Sequence, residues 1–371
     1  MTTLKDKADE VKRSATRKVT HLRPKSFLRS EDLLSTGSTL LNLALSGRPD
    51  GGYMKGKYFF VVGDSKTGKT WQSLTCLAEA TLNPEFDDYD FIFDDNEGGA
   101  LMDMARFFGK EVERRAQPPK RDKDGEPIFS ESIEDFYFNI DDLVKKGRKF
   151  IYVLDSMDGL TSKDEEKKFE EHKEAARKGT KTAGAYGDGK AKKNAAGLRR
   201  LKRGLRDTGS ILIIISQTRD NINAGPFGEK KTRSGGRALR FYATAEWWSS
   251  HIGSIKKTVR GRSRKIGAHT LLQFKKNRLT GREDNVVISF YPSFGLDDVG
   301  SCVDFMVKEG FWSKKGKTKP KISAKDLHVT MDREKLIHYC EDRKEKLVRA
   351  VDRAWQTLIR ETAITRKPRY V

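Results

Sequence analysis

The 371-residue chain lacks the features of a membrane-spanning or secreted protein. No apolar run approaches the roughly eighteen residues or more that a transmembrane helix needs. Residues 1–25 hold no apolar stretch suited to secretion, and Asp6, Asp9 and Glu10 argue against a transit peptide. The sequence therefore predicts a cytoplasmic protein.

Cysteine is scarce, with three residues spread far apart along the chain: Cys76, Cys302 and Cys340. An odd, scattered set excludes a disulfide framework and indicates free thiols in a reducing cytosol, where they serve as packing residues. The six histidines form no H-E-x-x-H motif and no Cys/His pairing. We therefore expect no zinc site.

Acidic residues are under-represented, since 53 Asp and Glu face 74 Lys and Arg for a net charge of +21. Residues 177–206 carry eleven cations and one acid, and residues 247–282 carry ten cations and no acid. Stretches of one sign are typical of a phosphate-facing surface. Neither stretch has the bulky apolar face of a membrane-surface helix, which favours nucleic acid over a membrane as the partner.

One motif identifies a ligand directly, because it matches the G-x-x-x-x-G-K-[ST] phosphate loop. Its residues are Gly63, Asp64, Ser65, Lys66, Thr67, Gly68, Lys69 and Thr70. The apolar run 58–62 before it predicts a buried strand, and residues 71–80 after it predict a helix. In this setting Lys69 would reach the β- and γ-phosphates of a nucleoside triphosphate, and the Thr70 hydroxyl would bind Mg²⁺.

Acidic residues follow two further predicted strands. Asp155 ends the apolar segment 150–154, and Glu97 follows the segment 90–93. The carboxyl ends of adjacent parallel strands converge on one crevice. Asp155 would therefore join Thr70 around Mg²⁺, and an acid of the second segment would orient and deprotonate the attacking water.

The alternation of apolar strand segments and helical segments predicts an α/β fold with a mostly parallel central sheet. The candidate strands are residues 58–62, 90–93, 150–154, 211–216, 243–249, 270–274 and 286–290. We expect three regions: an N-terminal helical oligomerisation arm (1–30), an ATPase core (31–290) and a small helical or α+β C-terminal domain (291–371). Residues 161–176 predict a charged helical extension, and residues 177–192 and 219–237 predict two functional loops.

Several segments occur in a family order and together cover about residues 30–315. They include residues 35–38, 41–47, 95–97, 216–219, 234–242, 275–278, 291–295 and 309–312. This arrangement resembles the RecA/UvsX recombinase family, and its bacteriophage branch in particular. The resemblance implies a RecA-like ATPase core, with the two loops binding DNA.

The resemblance also assigns roles to single residues. Glu97 matches the glutamate that activates water, and Gln217 matches the glutamine that senses the γ-phosphate and opens the second DNA loop. Lys276 and Arg278 match two cations that complete the ATP site of a neighbouring subunit, and Phe241 matches a subunit-interface residue. Gln217, at the end of a buried strand, could lose its hydrogen bond on hydrolysis and so act as a two-state element.

The expected DNA contacts are basic residues in or beside the two loops. They are Lys192, Arg199, Arg219, Lys230, Lys231, Arg233 and Arg237. Contacts to phosphate position a strand without reading its sequence, so binding should tolerate any sequence and weaken with salt. The chain departs from the family where an aromatic residue usually covers the adenine, since Met104 stands there and Leu101 replaces a polar contact.

The leading hypothesis is a DNA-dependent ATPase that uses ATP and Mg²⁺, forms helical homo-oligomers on single-stranded DNA and pairs it with homologous duplex DNA. Single-stranded-DNA-binding or mediator proteins are further possible partners. One alternative is a ring-forming helicase or packaging motor on the same fold, although such motors usually carry a large helical domain beside the core. The other is a non-hydrolysing coat protein, against which Lys69, Thr70, Glu97 and Asp155 argue.

Overall fold

The computed structural model describes residues 28–179, 189–221, 231–233, 236–316, 320–366 and 369. A ten-stranded sheet forms its centre, and helices cover both faces, so the predicted α/β class is confirmed. The predicted arm, residues 1–30, lies almost entirely outside the described residues, as do the middles of the two predicted loops.

The described helices are α1 Thr39–Ser46, α2 Lys69–Thr81, α3 Met104–Phe108, α4 Lys110–Arg115, α5 Ile133–Lys145, α6 Lys163–Lys178, α7 Gly189–Thr208, α8 Arg237–Tyr242, α9 Asp298–Lys308, α10 Arg333–Glu341 and α11 Lys344–Glu361. The strands of the large sheet are β3 Tyr58–Gly63, β4 Asp90–Asp95, β5 Ala116–Gln117, β8 Phe150–Asp155, β9 Ile211–Asp220, β10 Lys231–Arg233, β11 Ala245–Val259, β12 Arg262–Asn277, β13 Val286–Tyr291 and β14 Gly295–Asp297. The smaller sheets contain β1 Leu33–Leu34, β2 Tyr53–Met54, β6 Lys120–Arg121, β7 Pro127–Ile128, β15 Ser313–Lys315, β16 Lys321–Ala324 and β17 Val329–Met331.

The large sheet runs in the order β14-β13-β12-β11-β3-β9-β8-β4-β5, with β10 paired to β9. Strands β11, β3, β9, β8, β4 and β5 are parallel, whereas β12, β13 and β14 continue the sheet in antiparallel pairs. The carboxyl ends of the parallel strands therefore lie along one edge of the sheet.

Continuous apolar sequence explains the central strands, because both faces of each strand are covered. Along β3, Phe59 and Val61 enter one hydrophobic core, while Phe60 and Val62 enter the core on the other face. Successive side chains of a strand point to opposite faces, so a strand buried on both sides has no polar alternation. Burial on both faces fixes the strand that leads into the phosphate loop.

Short polar side chains set the starts of helices that flank the site. Ser132 accepts a hydrogen bond from the Asp135 backbone N–H, and the Asp135 carboxylate accepts from the Ser132 N–H, which completes a capping box at α5. Ser162 caps α6, the helix that the charged segment 161–176 predicts. Each cap satisfies N–H groups that a helix start leaves unpaired.

The end of the chain packs on the core rather than apart from it. Asp298, at the start of α9, accepts hydrogen bonds from the Thr39 backbone N–H (2.6 Å) and hydroxyl (2.9 Å) at the start of α1. Trp312 and Trp355 belong to the same hydrophobic cluster as β3. β14 ends at Asp297, so the large sheet extends past residue 290. The boundary we expect at 290–291 stays a prediction.

Each of the seven predicted strands coincides with a strand of the sheet, but two are much longer than predicted. β11 continues to Val259 and β12 begins at Arg262, so the two form a long hairpin. The three cysteines are buried and free, as expected of packing residues. Among the described residues, no helix is both long enough and apolar enough to cross a membrane.

Ile213 tests the double-sided core. It is fully buried in the middle of β9, between Phe59 of β3 and Val153 of β8. We expect I213A to lower the free energy of unfolding by about 2–5 kcal/mol, because it removes buried methyl groups and leaves a cavity. L82A, at a side chain that is 80% exposed, should change it by less than about 0.5 kcal/mol. Denaturant titration measures both, and equal effects would contradict this description of the core.

Candidate nucleotide site and DNA-facing loops

The phosphate loop joins the end of β3 to the start of α2, and its glycines are needed for its path. Gly68 has a φ of +81°, and a Cβ there would lie 2.8 Å from the Phe290 ring. A Cβ on Gly63 would lie 2.4 Å from the Ser249 carbonyl oxygen. The first turn of the thirteen-residue α2 leaves backbone N–H groups without helical partners, which favours an anion at this point. The loop thus has the space and the polarity for phosphates.

The polar side chains of the loop are held by the loop itself. The Lys69 ammonium donates to the Asp64 carbonyl oxygen at 2.7 Å, and the Thr67 hydroxyl donates to the same oxygen at 2.8 Å. Burial lowers the pKa of Lys69, while the carboxylates of Asp155 and Glu97 oppose that shift. Ser65 and Lys66 are exposed.

Asp155 and Thr70 are in contact, as a shared magnesium site requires. The Thr70 hydroxyl donates to Asp155 Oδ2 at 2.5 Å. Burial raises the pKa of Asp155 to about 6; the Thr70 hydrogen bond acts against this, and the nearby negative charges of Glu97 and Asp95 add to it. Asp155 is buried beside the Thr70 hydroxyl, and oxygen ligands of these two kinds are the ones that Mg²⁺ prefers.

Glu97 lies at the same edge and is held by two partners from other strands. Gln217, near the end of β9, donates its side-chain amide to both carboxylate oxygens, at 3.0 and 3.3 Å. The Ser156 hydroxyl, one residue past β8, donates to Glu97 Oε1. Asp158 in turn accepts from the Gln217 backbone N–H at 2.7 Å and fixes the end of β9. The pair predicted to activate water and sense phosphate is therefore in direct contact.

A second link joins the phosphate loop to the base of the second predicted DNA loop. Asp64 accepts hydrogen bonds from the Thr218 hydroxyl on β9 and from the Lys231 ammonium on β10. Burial acts to raise the pKa of Asp64, but the bonds from Lys231 and Thr218 outweigh it and lower that pKa. β10 pairs with the end of β9, with Lys231 opposite Asp220, so the two chain segments that flank residues 222–230 lie side by side.

The cations expected to act on a neighbouring subunit lie away from this chain's own phosphate loop. Lys276 stands opposite Glu246 at the start of β11, whereas Gly63 stands opposite Ser249 farther along that strand. The Lys276 ammonium donates to the carbonyl oxygens of Arg240 (2.5 Å) and Phe241 (2.8 Å). Arg278 donates to the Phe241 carbonyl at 3.0 Å. The Phe241 side chain is 64% exposed.

Arg233 differs from the other predicted DNA contacts, because its side chain is only 15% exposed. Its guanidinium Nε lies 3.4 Å from the fully buried Glu246 carboxylate. The Trp248 indole N–H donates to that same oxygen, Oε1, at 2.8 Å, and Arg240 lies 3.4 Å from the other oxygen, Oε2. In this arrangement Arg233 neutralises a buried acid.

The remaining predicted DNA contacts are spread over both loops. Lys192 and Arg199 are exposed on α7, and Arg237 is exposed at the start of α8. Arg219 is exposed near the end of β9, 3.7 Å from Asp158. Lys230 lies outside the described residues.

The predicted adenine contact begins a helix close to the loop. Met104 is the first residue of α3 and packs partly against the core, and Asp103 caps that helix. Leu101 is 92% exposed, so an apolar side chain faces solvent where the family usually has a polar contact.

Sequence reasoning missed Ser156, Asp158 and Glu246, and it took Asp64 only as a member of the motif. Each of these four side chains binds a partner far along the chain, so no local sequence pattern identifies it. The one available signal was Glu246, the last acid before a stretch of thirty-six residues that has none.

Comparison with known proteins agrees with this geometry. Residues 9–295 match the family model of the RecA N-terminal domain. The chain is 28% identical over 338 residues to Protein RecA of Brucella canis, Brucella abortus and Brucella suis, which covers 90% of this chain and 80% of theirs.

Gly68 tests the shape of the phosphate loop. G68A places a methyl group against Phe290 and forces a non-glycine residue into the left-handed region, which costs on the order of 1–3 kcal/mol. We expect affinity for a non-hydrolysable ATP analogue to fall roughly tenfold or more. G125A is the matched control, since Gly125 has a φ of +88° but open space around it. Calorimetric titration would contradict the assignment if both variants bound the analogue as the unmodified protein does.

Proposed function

The chain belongs to the RecA family of ATP-dependent DNA recombinases, and on that premise we propose how its site works. It is a DNA-dependent ATPase by family. We propose that it forms filaments on single-stranded DNA and promotes homologous pairing and strand exchange in recombination, repair and recombination-dependent replication. The observation that carries the proposal is the direct contact between the nucleotide site and the base of the second DNA loop.

Hydrolysis is assigned to Glu97, which would take a proton from the water that attacks the γ-phosphate. Lys69 would leave the Asp64 carbonyl oxygen and bind the β- and γ-phosphates, whose charge matches its own. The closeness of Glu97 to the end of β8 and to the start of α2 supports this placement. Phosphoryl transfer needs such positioning and charge more than covalent chemistry.

Thr70 and Asp155 would hold Mg²⁺, and their 2.5 Å contact places one hydroxyl and one carboxylate oxygen side by side. When bound, Mg²⁺ neutralises charge on the transferred phosphate, and it keeps most of its water ligands. Met104 would pack against the base of the nucleotide. The acids around Asp155 repel one another, so a divalent cation there relieves a repulsion that the fold creates.

Coupling between ATP and DNA would pass through two side chains at the base of the second loop. Gln217 donates to Glu97, so a γ-phosphate that draws its amide away would release that carboxylate for catalysis. Phosphates close to Asp64 would compete with it for Lys231, because both are anions that attract the same ammonium. Nucleotide binding would thereby draw Lys231 away from Asp64 and shift the base of the second loop. Each change is a swap between two discrete partners, as a switch requires.

Assembly would complete the site. Phe241 exposes an aromatic ring that can pack on a second copy, and Lys276 and Arg278 lie directly beside it. We infer that these cations reach the nucleotide of the neighbouring subunit, which ties hydrolysis to the filament. In this proposal residues 1–30 contribute to self-association, and residues 291–371 form a C-terminal domain.

DNA contacts are proposed for Lys192, Arg199, Arg219, Lys230, Lys231, Arg233 and Arg237. Arg233 would need to leave Glu246, and so would bind DNA only after the loop rearranges. We place the protein in a bacterial cytoplasm, with a bacteriophage origin as a further proposal, and with single-stranded-DNA-binding or mediator proteins as helpers.

Glu97 provides the test of this function. E97Q keeps an oxygen that can accept from Gln217 but removes the base, so turnover stimulated by single-stranded DNA should fall about a hundredfold or more. Binding of ATP and formation of filaments on single-stranded DNA should persist. Phosphate release, DNA anisotropy and electron microscopy measure these three properties, and E113Q, an exposed glutamate on α4, is the control.

Three results would contradict parts of the proposal. Normal turnover by E97Q would exclude Glu97 as the base. Turnover by the unmodified protein without stimulation by DNA, or rings in place of filaments, would indicate a motor. Filaments without any turnover would indicate a coat protein.

Lys276 predicts a pH dependence. Burial, together with the positive charges of Arg278 and Arg240, lowers its pKa to about 8, while the carboxylate of Glu246 opposes the shift. The ammonium is charged below that pKa and neutral above it. DNA-stimulated turnover should therefore decline between pH 7 and 9, with a midpoint near pH 8. K276R stays charged over this range, so its profile should be flat; the same decline in K276R would exclude Lys276 as the source.

A further inference from the structure

Glu246 is a fully buried carboxylate at the start of β11, and no step of the proposed mechanism uses it. Its backbone stands between Phe60 of β3 on one side and Lys276 of β12 on the other. A charge that is taken out of water destabilises a fold unless cations and hydrogen bonds surround it. The groups around Glu246 therefore decide whether this charge can stay in place.

Three groups share the Glu246 carboxylate, and they come from different parts of the molecule. Arg233 of β10 lies 3.4 Å from Oε1, and the Trp248 indole N–H donates to that oxygen at 2.8 Å. Arg240 of α8 lies 3.4 Å from Oε2. Through Arg233, the carboxylate thus joins the second predicted DNA loop to the helix that carries Phe241.

The cations fit this buried carboxylate incompletely. In the described part of the chain, Glu246 Oε2, Arg233 Nε and the Tyr58 hydroxyl are buried atoms without a hydrogen-bond partner. Burial raises the pKa of Tyr58, the negative charge of Glu246 adds to that shift, and the positive charge of Arg233 opposes it. An arginine that bonded both carboxylate oxygens would be locked in place. Here unpaired atoms remain on both sides of the ion pair, so an exchange of partners costs less.

Arg233 can leave Glu246, because it sits on a short strand at the border of the second loop. It is the last residue of the three-residue β10, opposite Thr218 of β9, and its side chain is partly exposed. The other two residues of β10 are exposed. A strand with so few buried contacts is easily displaced. The loop can therefore carry Arg233 from Glu246 to a phosphate of DNA.

Arg240 would respond to that departure, because it is the other guanidinium paired with Glu246. Its own carbonyl oxygen accepts from the Lys276 ammonium at 2.5 Å. Lys276 and Arg278 both donate to the next carbonyl oxygen, that of Phe241, at 2.8 and 3.0 Å. A shift of Arg240 toward the carboxylate would therefore change the support of both cations and of the exposed Phe241 ring.

We propose that Glu246 is a positioning residue that couples occupancy of the second loop by DNA to the cations that act on the neighbouring subunit's nucleotide. The carboxylate holds Arg233 while no DNA is bound, and it is left to Arg240 when Arg233 moves to a phosphate. Each state has its own ion pair, as a two-state element requires. This coupling rests on the roles proposed above for Lys276 and Arg278, to which it adds the residue that links them to the loop.

DNA affinity with and without nucleotide tests the coupling. The quantity is the ratio of two Kd values for a single-stranded oligonucleotide, without and with a non-hydrolysable ATP analogue, measured by anisotropy. E246Q keeps an oxygen for the Trp248 indole but releases Arg233 in both states. Binding without the analogue should therefore tighten, and the ratio should fall about threefold or more. R233Q should lower the ratio from the other side, because it weakens binding only with the analogue.

Further variants separate coupling from the loss of a contact or of the fold. R237Q removes an exposed cation of α8 and should weaken binding equally in both states, so the ratio should not change. E113Q, an exposed glutamate on α4, should change neither Kd. E246Q/R233Q should lower the ratio no more than the larger single effect, because both changes act on one ion pair. R233Q keeps the buried Glu246 and tests the coupling even where E246Q does not fold.

The pH profile of turnover tests the last step, from Glu246 to Lys276. Burial and the positive charges of Arg278 and Arg240 lower the pKa of Lys276 to about 8, and the Glu246 carboxylate opposes that shift. E246Q removes the carboxylate, so the pKa should fall further and the decline of DNA-stimulated turnover should occur at lower pH. A residue that only stabilised the fold would not move this midpoint.

Two results would overturn the proposal. One is an unchanged ratio in E246Q and R233Q, and the other is a pH midpoint in E246Q that equals that of the unmodified protein. K276Q distinguishes such a failure from a failure of the proposed function. Loss of DNA-stimulated turnover in K276Q supports the role of Lys276 whatever E246Q does, whereas normal turnover would contradict that role and the coupling with it.

Discussion

Three buried strands that end at one edge of a parallel sheet determine what this protein can do. β3, β8 and β9 deliver Gly63, Asp155 and Gln217 to neighbouring positions, and β4 adds the acids that precede Glu97. Each strand is covered on both faces, so its end cannot shift without disturbing two cores. The rigid edge lets contacts as short as that of Thr70 with Asp155 form between residues far apart in the sequence.

Side chains at the base of the second predicted loop connect that rigid edge to the rest of the site. Gln217 and Thr218 are adjacent on β9, and on a strand they point to opposite faces. One contacts Glu97 and the other contacts Asp64, so a single strand end is linked both to the predicted catalytic glutamate and to the phosphate loop. Glu246 adds a buried carboxylate that binds Arg233 from the second loop and stands opposite Lys276. Movement of that loop would therefore disturb the neighbourhood of the two cations that we propose reach the next subunit.

The sequence predicted the features that depend on residues close together in the chain. A continuous apolar run marked β3, and eight adjacent residues marked the phosphate loop. The hydrogen bond between Asp64 and Thr218 joins residues 154 positions apart, and no sequence pattern near either residue predicts it. The long hairpin escaped notice for another physical reason. Strand patterns are recognised from a buried face. Residues 256–265, at the end of this hairpin, are all exposed, so the apolar alternation ended where the sheet did.

The part of the β11–β12 hairpin beyond the large sheet, residues 250–267, also bears on how the protein behaves when no DNA is present. A two-stranded ribbon has two free edges, and their unpaired N–H and C=O groups invite further strands to add. Cations on both faces repel a second ribbon at close range, and the repulsion weakens as salt screens it. The charge that opposes pairing within the hairpin thus protects each molecule from edge-to-edge aggregation.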